Sequence, residues 1–250
     1  FINKLDRIGA SFEETIKQIN AKFNNCALPL QLPIGREDDF SAIIDVLNAE
    51  KVSFSGNSGE EIHREELNAE QKELQEKAFE QVLEICGNFS DEIAMHYLEG
   101  EIPDMDLLKQ EIRRLTIERK IVPVFLGSAK NCIGIQPLAD AIVDYLPSPL
   151  DIPYFEAFSA KDESIVKVHS DPDEAFSGFI FKINASSTAD LFFMRIYSGT
   201  LTSNLQVMNS RTKERVRIRQ IYKIYAKNTE QIDSAGPGDI IGLTGLRNCG

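Results

Sequence analysis

Three polar residues near the start of the chain have the types and spacing to read a purine base. Asn3, Lys4 and Asp6 form Asn-Lys-x-Asp directly after the apolar pair Phe1-Ile2. Guanine presents an N1–H and an N2 amino group side by side, and one carboxylate accepts both as a planar pair. Adenine offers no such pair and leaves the acid desolvated and unpaired. A site of this kind discriminates by about 10⁴-fold or more. Asn in the first position ties adjacent loops, and the Lys stem lies flat on one ring face. A second element matches: Gly127-Ser128-Ala129 also follows an apolar run and precedes a helix. Its backbone N–H groups, Ser128 and Ala129 foremost, are placed to meet guanine O6, which an adenine amino group would repel. Open α/β sheets bind ligands at the C-terminal ends of their strands, where both loops fall. A solvated turn would explain either loop alone but not the pair.

Those loops need strands and helices to hold them. Phe1-Ile2 reads as the end of a buried strand. Ser11 to Phe23 predicts a helix capped by Ser11, with Glu14 three residues on and Phe12, Ile16, Ile19 and Phe23 on one face. Leu28 to Ile34, broken by Pro29 and Pro33, suits an edge strand or an extended connection. Ile121 to Leu126 is short and wholly apolar, as a central parallel strand is. Ile135 to Leu146 predicts a helix with Leu138, Ala141, Ile142 and Tyr145 on one side, closed by Pro147-Ser148-Pro149.

Residues 36–120 differ in style. Phe40 to Phe54 suits short strands, with a turn at Asn57-Ser58-Gly59. Three helices follow: Ala69 to Cys86, with Leu74, Ala78, Val82 and Ile85 in one stripe; Ser90 to Glu99, ended by Gly100; and Asp104 to about Lys120, with Leu108, Ile112 and Leu115 inward. The expectation is an α+β insertion with a small core of its own. From about Phe176 the pattern is all-β: Phe179–Ile183, Leu191–Tyr197, Leu205–Asn209, Arg215–Tyr222 and Ile240–Thr244. Turns fall at Ser198-Gly199, Asn209-Ser210 and Gly236-Pro237-Gly238, as in a small antiparallel barrel. The 250 residues thus divide into an α/β portion over 1–150, with its insertion at about 36–120, and a β-barrel over 151–250.

The net charge of −12 argues against a nucleic-acid partner, but it is uneven. Residues 36–120 hold 22 Asp+Glu and 10 Lys+Arg, the whole imbalance, whereas residues 151–250 hold 12 of each. Arg215, Arg217 and Arg219 alternate with Val216 and Ile218, which places the arginines on one strand face. That face is either solvated or a contact to nucleic-acid phosphates. Glu70, Glu73, Glu76, Glu80 and Glu84 form a solvated helix face or a protein-binding one. No apolar run reaches the roughly 18 residues of a membrane span. The four cysteines, Cys26, Cys86, Cys132 and Cys249, are far apart and read as reduced thiols, not a zinc site.

The segments FINKLDRIGA, QLPIG, VFLGSAKN…GIQPLADAIVDYLPSP and FMRIYSGTL resemble the translation elongation factor G family from end to end of the chain, in order and at family spacing. The resemblance implies the C-terminal part of a GTP-binding domain with its insertion, then most of domain II. It implies a ribosome-dependent GTPase that drives translocation of tRNA and mRNA, using GTP/GDP with Mg²⁺, cytoplasmic, monomeric and without a membrane. Domain II would rest on small-subunit RNA, the Arg195–Gly199 turn (Arg195, Tyr197, Ser198, Gly199) taking part, and the insertion would meet the large-subunit stalk protein. No phosphate-cradling G-x-x-x-x-G-K-[ST], no D-x-x-G and no catalytic residue stands in this chain, and His63, His96 and His169 match no catalytic position. The chain by itself is therefore expected to be inactive, with no cofactor bound. The run Ala185 to Ala189 departs from the family's D-P-x-x-G, which suggests a recycling paralogue as an alternative. A nucleotide-independent ribosome-binding module is another.

Overall fold

The structure is a computed structural model that describes residues 1–250 except 25, 57, 58, 160, 161, 163, 186–189, 227 and 247–250. The chain divides into two compact units, Phe1–Leu146 and Pro147–Gly250. In the first, α1 (Phe12–Lys22) begins where expected: Ser11 Oγ accepts the Glu14 N–H at 3.2 Å, and Glu13 and Glu14 sit at the positive end of the helix dipole. Phe12 is buried, but Phe23 lies past the helix end as its C-cap and is 59% exposed. The expected four-residue stripe therefore loses its last member.

Two short parallel connections make the central sheet. Strand β1 (Ala27–Pro29) pairs in parallel with β6 (Val122–Val124), Ala27 opposite Val122, and on the other flank Ile2 bridges Leu126, also in parallel. Between β1 and β6 in sequence lies the insertion. Strands β2 (Gln31–Ile34), β3 (Ala42–Asp45), β4 (Glu50–Ser55) and β5 (Glu61–Glu66) form an antiparallel sheet in that order. Pro29 and Pro33 sit in β1 and in the edge strand β2, where a missing N–H is tolerated. Three helices follow: α2 (Ala69–Gly87), α3 (Asp91–Glu99) and α4 (Met105–Ile117). Asn68, Ser90 and Asp104 cap them, and Gly100 closes α3 at φ 69°. After β6 comes α5 (Ile135–Tyr145).

The insertion has no core of its own, contrary to the sequence-based expectation. Val82, Leu83, Cys86, Ile93, Leu108, Ile112 and Leu115 pack in one cluster with Leu28 and Leu30 and with Ala141 and Tyr145 of α5. Its sheet contributes Ile43 and Val52 to a second cluster with Ile2, Leu5, Phe12, Val124 and Leu126. Three helices and four short strands bury too little apolar surface separately, so each face closes on the parallel sheet or its helices. The α2 stripe rotates accordingly: Gln75, Val82, Leu83 and Cys86 face inward, and Leu74 is 49% exposed. On α5, Ala141 and Tyr145 are buried but Ile142 is half exposed. Arg113 of α4 fastens the end of α5, its Nη1 donating to the carbonyls of Asp144 (2.8 Å) and Leu146 (3.0 Å). Burial among these apolar residues pushes the Cys86 thiol up to about 12.

The second unit is antiparallel β throughout. Strands β7 (Phe155–Phe158) and β8 (Ile165–Val168) make a hairpin that composition did not signal. Next come β9 (Ser177–Asn184), β10 (Leu191–Ser198), β11 (Leu201–Thr202), β12 (Gln206–Met208), β13 (Arg215–Arg217), β14 (Ile221–Tyr225), β15 (Asn228–Ile232), β16 (Ser234–Ala235) and β17 (Ile240–Thr244). A five-stranded sheet runs β15-β14-β17-β10-β9, and the ladders β11–β16 and β12–β13 complete the set. All close on one core of Phe192, Met194, Ile196, Leu201, Ile218, Ile221, Ile241 and Leu243. The single strand expected over Arg215–Tyr222 is two, because the chain leaves β12 after Arg217 and joins β17 from Ile221. The proposed turn residues Asn57 and Ser58, and 186–189 of the divergent run, lie outside the described residues.

Leu108 is wholly buried at the junction of insertion and sheet helices. Leu108→Ala is expected to lower unfolding free energy by about 2–5 kcal/mol. In urea melts followed by circular dichroism, a loss below half a kcal/mol, well under that range, would show the shared core to be absent.

Candidate functional site: two loops at the ends of parallel strands

The sheet brings the two candidate loops together. Ile2 N–H donates to Phe125 O at 2.8 Å and Gly127 N–H to Ile2 O at 3.0 Å, so the strands end side by side. Each chain then turns out of the sheet. Lys4 takes φ 67°, Leu5 drops into the core with 5% of its surface exposed, and Leu5 N–H reaches Gly127 O at 3.3 Å. The opposing loop is tight: Ser128 and Ile133 exchange both backbone hydrogen bonds at 3.0 Å. A Cβ on Gly127 would lie 2.1 Å from Ile133 O, so only glycine fits there.

Side chains lace the loops. Asn3 Oδ1 accepts two N–H groups, that of Lys4 at 2.8 Å and that of Ala129 at 2.9 Å. This fulfils the tie expected of the first position, and it also corrects one detail. The Ser128 and Ala129 N–H groups, both assigned from sequence to guanine O6, are already taken, by Ile133 O and by Asn3. Among the described residues the next N–H in the loop, that of Lys130, has no partner and is the donor left for a base oxygen.

Asp6 is the centre of the arrangement. The wholly buried Ser128 hydroxyl beside it is the largest influence holding its carboxyl below the usual range. Its own backbone N–H and the charges of Arg7 and Lys130 act the same way, against partial desolvation. Arg7 Nε stands 4.0 Å from Oδ2. Oδ1 is buried and has no hydrogen-bond donor among the described residues. A desolvated carboxylate oxygen without a donor is costly in the free protein. Asn3, Lys4, Asp6, Ser128 and Ala129 thus lie together where the two strands end.

The candidate nucleic-acid residues of the second unit are not brought into one cluster by the sheet pairing. Arg215, Arg217 and Arg219 are exposed, while Val216 is half-buried and Ile218 is 2% exposed. Arg195 and Tyr197 lie on the outer face of β10, the guanidinium 5.3 Å from the Tyr197 ring centre. Ser198 and Gly199 are buried, which corrects their placement among contact residues: they shape the turn. Ser198 Oγ donates to Glu174 Oε2 at 3.5 Å, and Gly199 N–H to Asp171 O at 2.8 Å. A Cβ on Gly199 would meet Phe176 Cα at 2.6 Å. Glu174 also accepts His169 Nδ1 at 2.9 Å, a role that nothing in its local spacing announces.

A parallel sheet ending in two laced loops, followed by an antiparallel β unit, defines a nucleotide-binding α/β protein with an appended β domain. Residues 1–148 match the family model for the elongation factor Tu GTP binding domain, and residues 175–249 that for elongation factor G domain 2. The chain belongs to the elongation factor Tu GTP-binding-domain family. It is 36% identical to Elongation factor G 2 of Borreliella afzelii over 99% of the chain and 37% of the relative, and 36% identical to Elongation factor G of Thermotoga maritima over 99% and 36%. It thus spans a little over a third of those relatives. A crystal structure of a Thermus thermophilus protein shares the fold with a TM-score of 0.74 at 21% identity, covering 97% of this chain and 33% of that one.

The lowered Asp6 carboxyl contributes stability present above the usual carboxylate range and lost as pH falls through its folded value. Asp6→Asn is therefore expected to lose less stability than the parent between pH 5 and pH 3. Parallel pH profiles in urea unfolding would refute the environment described for Asp6.

Proposed function

We propose that the protein containing this chain is a ribosome-dependent GTPase of the elongation factor G type that drives tRNA and mRNA through the ribosome. The observation that carries this reading is the laced pair of loops, with one buried Asp6 oxygen short of a donor. Asp6 accepts guanine N1–H and N2–H, the Lys130 N–H meets O6, the Lys4 stem covers a ring face, and Asn3 and Ser128 hold the loops in place. These residues bind and orient the base, and no residue here acts on the phosphates. GTP, GDP and the accompanying Mg²⁺ would bind to the whole protein. The relatives' names and the family matches over both units support the reading.

The ribosome is the proposed partner. The arginine face of 215–219, with Arg195 and Tyr197, suits small-subunit RNA phosphates, and the acidic helix α2 suits a protein partner, the large-subunit stalk protein. Among the described residues no helix is long and apolar enough to cross a membrane. A factor of this kind works in the cytoplasm, as a monomer.

In the full-length protein, Asp6→Asn is expected to reverse the preference between guanine and xanthine nucleotides, because one acceptor of the carboxylate becomes a donor. Ribosome-stimulated hydrolysis of GTP against XTP measures it, and an unchanged guanine preference would sink the assignment. Replacing Arg215, Arg217 and Arg219 together with Gln is expected to reduce the slope of log affinity against log salt by about one for each arginine on a phosphate. An unchanged slope in ribosome binding would place that face in solvent.

A further inference from the structure

The chain leaves the parallel sheet at Leu30, and this raises a hydrogen-bonding problem. Along the β1–β6 ladder Val122 N–H donates to Cys26 O at 2.7 Å and Leu30 N–H to Val124 O at 3.1 Å. One step further, the Leu126 N–H should meet Leu30 O. That carbonyl instead takes the Val46 N–H at 3.1 Å, because the backbone crosses here into the insertion's sheet. Leu126 is wholly buried, so its N–H would be an orphan donor. The Gln31 side chain completes the ladder: Oε1 accepts the Leu126 N–H at 3.1 Å, and the residue is 2% exposed. Glutamine is seldom so buried, and here the bond it makes spans 95 residues.

Leu126 is the last residue before Gly127-Ser128-Ala129. On its other flank the strand is fixed by Ile2, the residue before Asn3. We propose that Gln31 is a positioning residue for base recognition. It holds the end of the strand so that Ser128 faces Asp6 and the Ala129 N–H reaches Asn3. The inference rests on the guanine reading above. A second buried glutamine offers a control: Gln75 of α2 donates through Nε2 to Val46 O at 2.7 Å, in the same junction but with no bond to either loop.

The test uses the full-length protein and a fluorescent GDP analogue. Gln31→Met keeps the side-chain length and removes the amide acceptor, and is expected to weaken GDP binding about tenfold. Gln31→Glu keeps an acceptor oxygen and is expected to restore binding even though a buried carboxyl lowers its melting temperature. Gln75→Met is expected to lose stability and keep GDP affinity. Unchanged affinity in folded Gln31→Met, or affinity that simply follows melting temperature across the three variants, would overturn the role of Gln31. Hydrogen exchange in the unsubstituted protein gives a reading free of variants: the Leu126 and Ala129 amides are expected to slow when GDP binds, and no change would overturn it too. An unsubstituted protein that binds no GDP would instead overturn the guanine reading, and this inference with it.

Discussion

The first unit depends on one requirement: the run from Val122 to Leu126 must satisfy its backbone on both flanks. On one side stands β1, on the other the residue before Asn3. Buried backbone groups are costly when unpaired, so this strand fixes where both loops emerge. The spacing of Asn3 and Ala129, 126 residues apart in sequence, is then set by a ladder and not by either loop. Loop residues at such a site can be strained or short of partners because the sheet beneath them is not.

Asp6 shows that trade in one side chain. A buried carboxylate oxygen with no donor is a poor arrangement for a folded chain alone. It is a good one for discrimination, because the same desolvation makes any base lacking paired N–H groups unfavourable. The surrounding hydroxyl and cations keep the group ionised, so its acceptors remain available.

The insertion's placement gives a further layer. Its apolar faces are absorbed into the cores on either side of the parallel sheet, and Arg113 grips the end of α5. Acidic outer surface and shared interior coexist because the helices are amphipathic: Glu73, Glu76 and Glu80 face water while Val82, Leu83 and Cys86 do not. The β unit follows the same logic at smaller scale, with Val216 and Ile218 inward and the arginines between them outward.

Much of this was legible in the residues. Caps at Ser11 and Asp104, the Gly100 stop, the apolar Ile121–Leu126 run and the period-two arginines are local signals, carried by backbone and side-chain chemistry within a few residues. The adjacency of the Asn3–Asp6 and Gly127–Ala129 loops was legible too, since both follow apolar runs that read as strands of one parallel sheet. What sequence could not decide was anything depending on a partner far along the chain. Period alone placed Leu74 and Ile85 in the inward stripe of α2, whereas neighbours from distant segments bury Gln75 and Leu83 instead. It could not tell that Ser198 and Gly199 are buried, since Glu174 and Phe176 close over them. Nor could it tell that the Ala129 N–H is already taken. Gln31 read as one polar residue in an extended stretch. Only the folded sheet, by diverting Leu30 O to Val46, makes it the group that holds Leu126.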